Sequence, residues 1–160
     1  MADRAKQALF DVLGLASGVQ VLDLYAGSGA LGIEALSRGA AHATFVESSR
    51  AALAAIRHNL TVLGLSDQSL VVPLPVERSR SALKANAPYG LVFCAPPWAE
   101  VDTALRGLSR VLIPDLISPG ALVVVDHRAS HAIVPPSSAD FTIADQRAWG
   151  DTGVTLLRYA

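Results

Sequence analysis

The sequence is short of cysteine and of net charge, and it lacks long uninterrupted apolar segments. Its single cysteine, Cys94, excludes an internal disulfide and argues against a cysteine-based metal site. The net charge is −1, so no overall basic field attracts nucleic acid and any RNA contact must come from a local patch. No apolar stretch reaches membrane-spanning length without a charge or a proline, which argues against a membrane protein.

Two further classes of protein are excluded by what the chain lacks. Residues 1–19 carry charged side chains at helical spacing, unlike a signal peptide, so we expect a cytoplasmic protein. The four histidines show no metal-ligand spacing, so we expect no metal site.

Apolar residues, by contrast, make up 51% of the 160 residues, enough for one domain over 1–160 with a substantial core. Strand-like and helix-like segments alternate, which predicts an α/β, doubly wound, Rossmann-like sheet that is mostly parallel with an antiparallel C-terminal end. The predicted strands are 19–25, 42–47, 69–74, 90–94, 121–126, 140–147 and 153–159. The predicted helices are 2–13, 30–38, 49–63, 77–86 and 100–112, and a loop is expected over 128–139.

The most informative segment is 21–32, where an apolar strand runs into a glycine turn and then a helix. Gly27 and Gly29 let the backbone bend tightly against a ligand, and Gly32 allows the helix to pack closely on the sheet. The helix start offers unpaired N–H groups. Glu47 follows a second apolar run, where a carboxylate can accept hydrogen bonds from ribose hydroxyls. The pattern predicts a cofactor that contains adenosine.

Asp23 indicates which cofactor this is. A carboxylate just before the loop repels the pyrophosphate of NAD or FAD, whereas it suits the ammonium and sulfonium of S-adenosylmethionine. We therefore predict S-adenosylmethionine, with a dinucleotide as the alternative.

The acceptor side is predicted from Pro96, Pro97 and Trp98, which follow the fourth strand. Two prolines stiffen the turn and remove two N–H donors, and a tryptophan offers a face on which a base can stack, worth about 1–3 kcal/mol. The alternative interpretation is a stiffened turn with a core tryptophan.

With these segments the chain resembles class I methyltransferases that act on exocyclic amines, and more narrowly the RsmD family of 16S rRNA guanine-N2 methyltransferases. The resemblance rests on these stretches: Asp3-Arg4 with Ala8–Phe10, the block Leu22 to Ala40, Phe45–Glu47, Asn59, Phe93 with Pro96–Trp98, and Arg147 with Trp149–Thr152.

The resemblance implies a cofactor site, an acceptor site and a partner, the rRNA of the small ribosomal subunit. The expected cofactor-binding residues are Asp23, Ala26, Gly27, Ser28 and Gly29 at the methionine end, Glu47 and Ser48 near the ribose, and Glu77 near the adenine. The expected catalytic turn is Ala95, Pro96, Pro97 and Trp98, and a weak RNA path would include Arg4, Lys6 and Arg38. We expect a monomer.

Two departures from the family pattern bear on activity. The family's motif acid, which accepts a hydrogen bond from the target amine, falls on Ala95, and only the Pro96 carbonyl could replace it there. We therefore expect slow transfer or none. The family also carries a basic segment before its first helix, and because this chain begins at that helix we expect weaker RNA docking.

Several interpretations stay open. The chain could be a cofactor-binding protein with little transferase activity, or a methyltransferase for another amine, such as a DNA adenine or a protein glutamine. Asn59 either orders the loop after the fourth strand or lies on a helix surface, and Asp126 is expected to end the fifth strand in a structural role.

Overall fold

A seven-stranded sheet carries the site. The computed structural model describes residues 1–14, 16–136 and 140–160. The strands are β1 (Gln20–Leu24), β2 (His42–Val46), β3 (Ser69–Val72), β4 (Tyr89–Cys94), β5 (Ile117–Arg128), β6 (Phe141–Trp149) and β7 (Thr152–Tyr159). The helices are α1 (Asp3–Leu13), α2 (Ala30–Ser37), α3 (Arg50–Val62), α4 (Arg80–Leu83) and α5 (Val101–Leu112).

The strand order is β3-β2-β1-β4-β5-β7-β6, and the chain reverses direction across the sheet between β1 and β4. Strands β1 to β5 are parallel, whereas β7 runs antiparallel to both of its neighbours. This confirms the predicted fold class. Ligands bind such sheets at the carboxyl ends of the strands, beside the point where the order reverses.

Two apolar clusters cover the two faces of the sheet, so the molecule has three layers. One cluster includes Leu9 of α1, Leu31 of α2 and Ile56 of α3. The other includes Leu83 of α4 and Leu105 of α5. Burial on both faces explains why the strands read as continuous apolar runs.

Two predicted elements were wrong in extent. The helix expected over 77–86 is broken into α4 and two short 3-10 turns, because the buried Ser79 hydroxyl donates to the Val76 carbonyl and competes with regular helix bonding. Strand β5 begins at Ile117 rather than 121, because it pairs with Tyr89 through an irregularity that includes the left-handed Gly120.

The segment expected as a loop over 128–139 is shorter than predicted, since Arg128 still pairs with Thr152 of β7. Residues 137–139 of that segment lie outside the described residues. In the described part of the chain, no helix combines the length and apolar character needed to cross a membrane.

Candidate cofactor and acceptor site

The turn after β1 has the left-handed backbone that the glycines predicted. Gly27 has φ of 59° and Gly29 has φ of 84°, a conformation that residues with a Cβ rarely adopt. Tyr25, with φ of 58°, adopts it without being a glycine, and its side chain lines the cavities described below. Such strain is typical of ligand-binding turns.

The expected close packing at Gly32 is confirmed. A Cβ on this residue would overlap the Phe45 ring of β2 and lie 3.2 Å from Oδ2 of Asp23. The absence of that atom lets the first turn of α2 lie directly over β1 and β2.

Asp23 is the buried carboxylate of the site, with 1% of its surface exposed. Its Oδ2 accepts a hydrogen bond of 3.0 Å from the Gly32 N–H, whereas its buried Oδ1 has no hydrogen-bond partner in the described part of the chain. Burial raises the pKa of Asp23 to about 8; the Gly32 bond opposes this shift and Glu47 adds to it. An unpaired buried acceptor is costly, so this oxygen is suited to a cationic ligand.

Asp23 lines a cavity of about 260 Å³ together with the glycine turn. The other residues around this cavity are Met1, Lys6, Tyr25, Ala26, Gly27, Ser28, Ala30, Leu31, Ala95 and Asp126. The predicted residues for the methionine end, with the exception of Gly29, therefore lie around one space.

Glu47 lies at the end of β2 and ties the glycine turn to the start of α3. Its Oε1 accepts a 2.8 Å bond from the Gly27 N–H, and its Oε2 accepts bonds of 2.9 and 2.8 Å from Ser48 and Ser49. The carboxylate thus positions the loop. Oε2 already accepts two bonds, whereas Oε1 keeps a further lone pair for a hydroxyl donor, as the predicted ribose contact requires.

Of the two interpretations of Asn59, the one in which it orders the loop after β4 is wrong. Its Nδ2 donates to the Ser28 carbonyl at 3.1 Å, so it orders the glycine turn after β1 and not the loop after β4. The contact joins residues 31 positions apart, which no local pattern specifies.

A larger cleft of about 610 Å³ lies beside the first cavity and contains the predicted ribose, adenine and acceptor residues. The two spaces share Met1, Tyr25, Ala95 and Asp126 in their walls. The acidic side chains of the larger cleft are Glu47, Glu77, Glu100 and Asp126. This surface is negative, which disfavours a pyrophosphate and favours a cation.

Trp98 is held at the wall of this cleft by two contacts. Its Nε1 donates to Oδ1 of Asp126 at 3.2 Å, and the Arg128 guanidinium carbon lies 4.9 Å from the ring centroid. Pro96 is buried and Pro97 is exposed beside it. The tryptophan side chain is half-buried, and the Arg128 guanidinium lies over its ring. These contacts fix the orientation of the aromatic ring on which a base would stack.

The basic residues predicted to contact RNA are Arg4 and Lys6 on α1 and Arg38 just after α2. All three precede Trp98 by a long stretch of sequence. Nε of Arg38 lies 3.1 Å from Oε2 of Glu34, and Nζ of Lys6 lies 3.9 Å from Oε1 of the same carboxylate. The Arg38 guanidinium also lies over the Phe10 ring at 5.1 Å. Arg4 is exposed on α1. Glu34 therefore offsets part of the positive charge of this patch.

Cys94 is fully buried, and burial raises the pKa of its thiol to about 12. Such a thiol is a poor nucleophile at neutral pH. Over residues 1–14, 16–136 and 140–160, no group of three or more histidine, cysteine or acidic side chains is arranged to hold a metal ion.

Asp126 was expected to end the fifth strand, which is wrong because β5 continues to Arg128, and its membership of the site was missed. The residue is 7% exposed, lines both cavities and bonds to Trp98. The signal was available, because Asp126 follows the apolar run of β5 just as Glu47 follows that of β2. Both positions lie at the ligand-binding edge of the sheet.

This strand order, the glycine turn after β1 and the acid after β2 define a class I methyltransferase that uses S-adenosylmethionine. The chain is 32% identical over 161 residues to Ribosomal RNA small subunit methyltransferase D of Escherichia coli, covering 96% of this chain and 76% of that protein. A conserved hypothetical protein of Streptococcus pyogenes superposes with a TM-score of 0.83 at 30% identity, covering 97% of this chain and 95% of that one. An RNA methyltransferase of Salinibacter ruber in complex with S-adenosyl-L-homocysteine shares the fold, with a TM-score of 0.74 at 13% identity over 99% of this chain and 92% of that one.

The sequence profile of the family described as Conserved hypothetical protein 95 matches residues 1–158. The chain belongs to this family, the RsmD family of S-adenosylmethionine-dependent rRNA methyltransferases. The predicted cofactor and the predicted enzyme class are thereby confirmed.

Replacing Glu47 by alanine is expected to weaken binding of S-adenosylhomocysteine by about 1–3 kcal/mol, because a charged acceptor for hydroxyl groups is lost. The glycine turn also loses its anchor to α3. The N–H groups of Ser48 and Ser49 are exposed and can bind water instead, so the loss in free energy of unfolding comes mainly from the partly buried Gly27 N–H and should be about 1 kcal/mol. Calorimetric titration and thermal unfolding measure the two effects. Unchanged affinity with a large loss of stability would show that Glu47 is only structural.

Proposed function

We propose that the protein transfers the methyl group of S-adenosylmethionine to the exocyclic N2 amine of a guanine in small-subunit rRNA. The observation that carries this proposal is the junction of the two cavities: the cofactor-side cavity at Asp23 and the cleft at Trp98 share a wall at Ala95. A methyl donor and an amine acceptor can therefore meet there. The name of the Escherichia coli relative supports the small-subunit rRNA as substrate.

The chain's own residues would bind and orient the two reactants. Asp23 would hold the ammonium of the methionine end with its unpaired Oδ1, and Glu47 would accept the ribose hydroxyls. Gly27 and Ser28 would line the methionine end, and Glu77 would lie near the adenine. When bound, S-adenosylmethionine supplies a methyl group on a positively charged sulfur, which the acidic cleft suits.

The acceptor base would lie against Trp98, with the Pro96-Pro97 turn limiting its position. Alignment of the reacting atoms is a large part of what such an enzyme contributes, because it removes the entropy cost of bringing two reactants together. Direct transfer of this kind calls for no metal. A cytoplasmic monomer is part of the proposal.

One observation favours a second candidate, a protein that keeps the cofactor site but transfers slowly or not at all. Ala95 carries no acceptor at the position where the family has its acid. A methyltransferase for a DNA adenine or a protein glutamine is the third interpretation. Assays on small ribosomal subunits, on adenine-containing DNA and on a glutamine peptide would separate these, with the methylated base identified by nuclease digestion and mass spectrometry.

The purified protein should bind S-adenosylhomocysteine and not NAD. The reason is the charge of the cleft, where Glu47, Glu77, Glu100 and Asp126 would repel a pyrophosphate. Calorimetric titration with each ligand under the same buffer conditions tests this. Tight NAD binding with no response to S-adenosylhomocysteine would contradict the assignment.

A further inference from the structure

Asp126 and Ala95 each follow one member of a residue pair on neighbouring strands. Cys94, the last residue of β4, pairs with Val125 of β5 in a parallel ladder, so Ala95 is the first residue after β4 and Asp126 is the next residue of β5. Neighbouring strands lie about 4.8 Å apart. A carboxylate is thus carried by the strand next to the turn in which the family has its acid.

The cavities place this carboxylate where the transfer would occur. Asp126 and Ala95 both line the cavity of about 260 Å³ that contains Asp23 and both line the cleft of about 610 Å³ that contains Trp98. A group on the shared wall can contact an amine that reaches from one space toward the other.

The two oxygens of Asp126 have different surroundings. Oδ1 accepts the Trp98 Nε1–H at 3.2 Å, which fixes the orientation of the carboxylate. Oδ2 forms an ion pair with the Met1 amine at 4.0 Å, a distance too long for a hydrogen bond. One oxygen is therefore used for positioning, and the other keeps its lone pairs for a ligand.

We propose that Asp126 supplies the carboxylate acceptor for the target amine that position 95 lacks in this chain. The inference rests on the proposed function, since it needs an amine in the cleft. The catalytic acceptor in this chain would then be Asp126 of β5 and not a residue at position 95 in the turn after β4.

The amine nitrogen forms a bond to the methyl carbon while the bond from that carbon to the sulfonium sulfur breaks, and the pair of that bond stays on sulfur. The nitrogen gives one proton to Oδ2 of Asp126, which returns it to water. Burial raises the pKa of Asp126, against the opposing effects of Trp98, the Met1 amine and His127, and a raised pKa makes the carboxylate a better proton acceptor.

The test is a double-mutant cycle of Asp126→Asn and Ala95→Asp, assayed for methyl transfer to small ribosomal subunits from a strain without its own enzyme of this family. Asparagine keeps an oxygen that can accept the Trp98 N–H and removes only the charge. In the natural chain, Asp126→Asn should lower the rate about tenfold or more. In the Ala95→Asp background the same change should lower it less than threefold, because a second acceptor is present.

Two further measurements separate catalysis from structure. Asp126→Asn should leave the affinity for S-adenosylhomocysteine and the melting temperature nearly unchanged, as should the control Asp67→Asn, which alters an exposed turn residue. Equal losses of rate in both backgrounds, or a loss of cofactor affinity, would overturn the proposal in favour of a structural role through Trp98.

Failure of the inference and failure of the function give different results. A natural chain with no transfer whose Ala95→Asp variant is active overturns the role of Asp126 and leaves the proposed function standing. A lack of transfer in both chains, with S-adenosylhomocysteine still bound, overturns the proposed rRNA substrate and the acceptor role with it.

Discussion

The Ala95→Asp variant should methylate small ribosomal subunits faster than the natural chain, by about 10- to 100-fold. The lone pair of a guanine amine is delocalised into the purine, so the amine attacks poorly until its nitrogen is drawn toward tetrahedral geometry. A carboxylate placed at the amine favours that change electrostatically. Ala95 packs against the core on one side and lines both cavities, so open space is available for the new carboxylate.

The measurement is transfer of a tritiated methyl group at saturating cofactor, with both proteins at pH 8. This pH matters because Asp126 lines the same cavities as the new acid, and two nearby carboxylates raise the pKa of one of them. Affinity for S-adenosylhomocysteine should stay nearly the same, since the residues proposed to bind it, Asp23 and Glu47, are unchanged. The matched control is Ala95→Asn, which has the same shape without the charge and should gain much less.

Equal and substantial rates for the two chains would mean that an acid at position 95 is dispensable. Asp126 would then provide the whole acceptor function. If Ala95→Asn gains as much as Ala95→Asp, a neutral acceptor at this position is sufficient, and the explanation from the negative charge is wrong.

Asp23→Asn should weaken binding of S-adenosylhomocysteine by about 10- to 100-fold, because a hydrogen-bonded charge pair with the ligand's ammonium is lost. The variant keeps an oxygen for the Gly32 N–H. Asp23 has a pKa of about 8 in the ligand-free protein, so it is mostly protonated at pH 7. A bound ammonium favours the ionised form, and binding below pH 8 must release a proton. Affinity of the natural protein should therefore rise from pH 6 to pH 8, and that of the variant should not.

The raised pKa of Asp23 also makes the free energy of unfolding of the ligand-free protein depend on pH. The folded-state pKa of Asp23 lies above its usual value of 3.8, so the native state binds more protons than the unfolded state between about pH 4 and pH 8. The contribution of Asp23 to the free energy of unfolding is fully present below pH 4 and is lost as the pH rises through 8. Thermal unfolding at pH 5.5, 7 and 8.5 should show a pH-dependent decrease that is smaller in Asp23→Asn.

Buffers of different ionisation enthalpy reveal the released proton directly in the calorimeter. The other charged groups near this cavity are Lys6, Glu47, Asp126 and the Met1 amine, and Lys6→Gln serves as a control that leaves the Asp23 carboxylate in place. A pH-independent affinity in the natural chain would show that Asp23 is already ionised before the ligand binds.

Local residue patterns were sufficient to predict the turn after β1 and the general fold. Gly27 and Gly29 adopt backbone angles that few other residues tolerate. The alternation of apolar strands with helices favours a buried parallel sheet. Asp23 and Glu47 were predicted correctly to lie at strand ends, since chain position alone places them there. The prediction of one helix over 77–86 was wrong because the Ser79 hydroxyl donates to the Val76 carbonyl and competes with helix hydrogen bonding. Helix propensity does not take such a side-chain contact into account.

By itself the sequence determined the fold class and the cofactor, because each depends on residue types at short, fixed spacings. Only the tertiary structure decided that Glu47 bonds the Gly27 N–H, that Asn59 orders the glycine turn, and that Asp126 lines the same two cavities as Ala95. Those contacts join residues 20 to 31 positions apart. They depend on the order and register of the strands, which arise when the whole sheet is assembled around its two apolar faces.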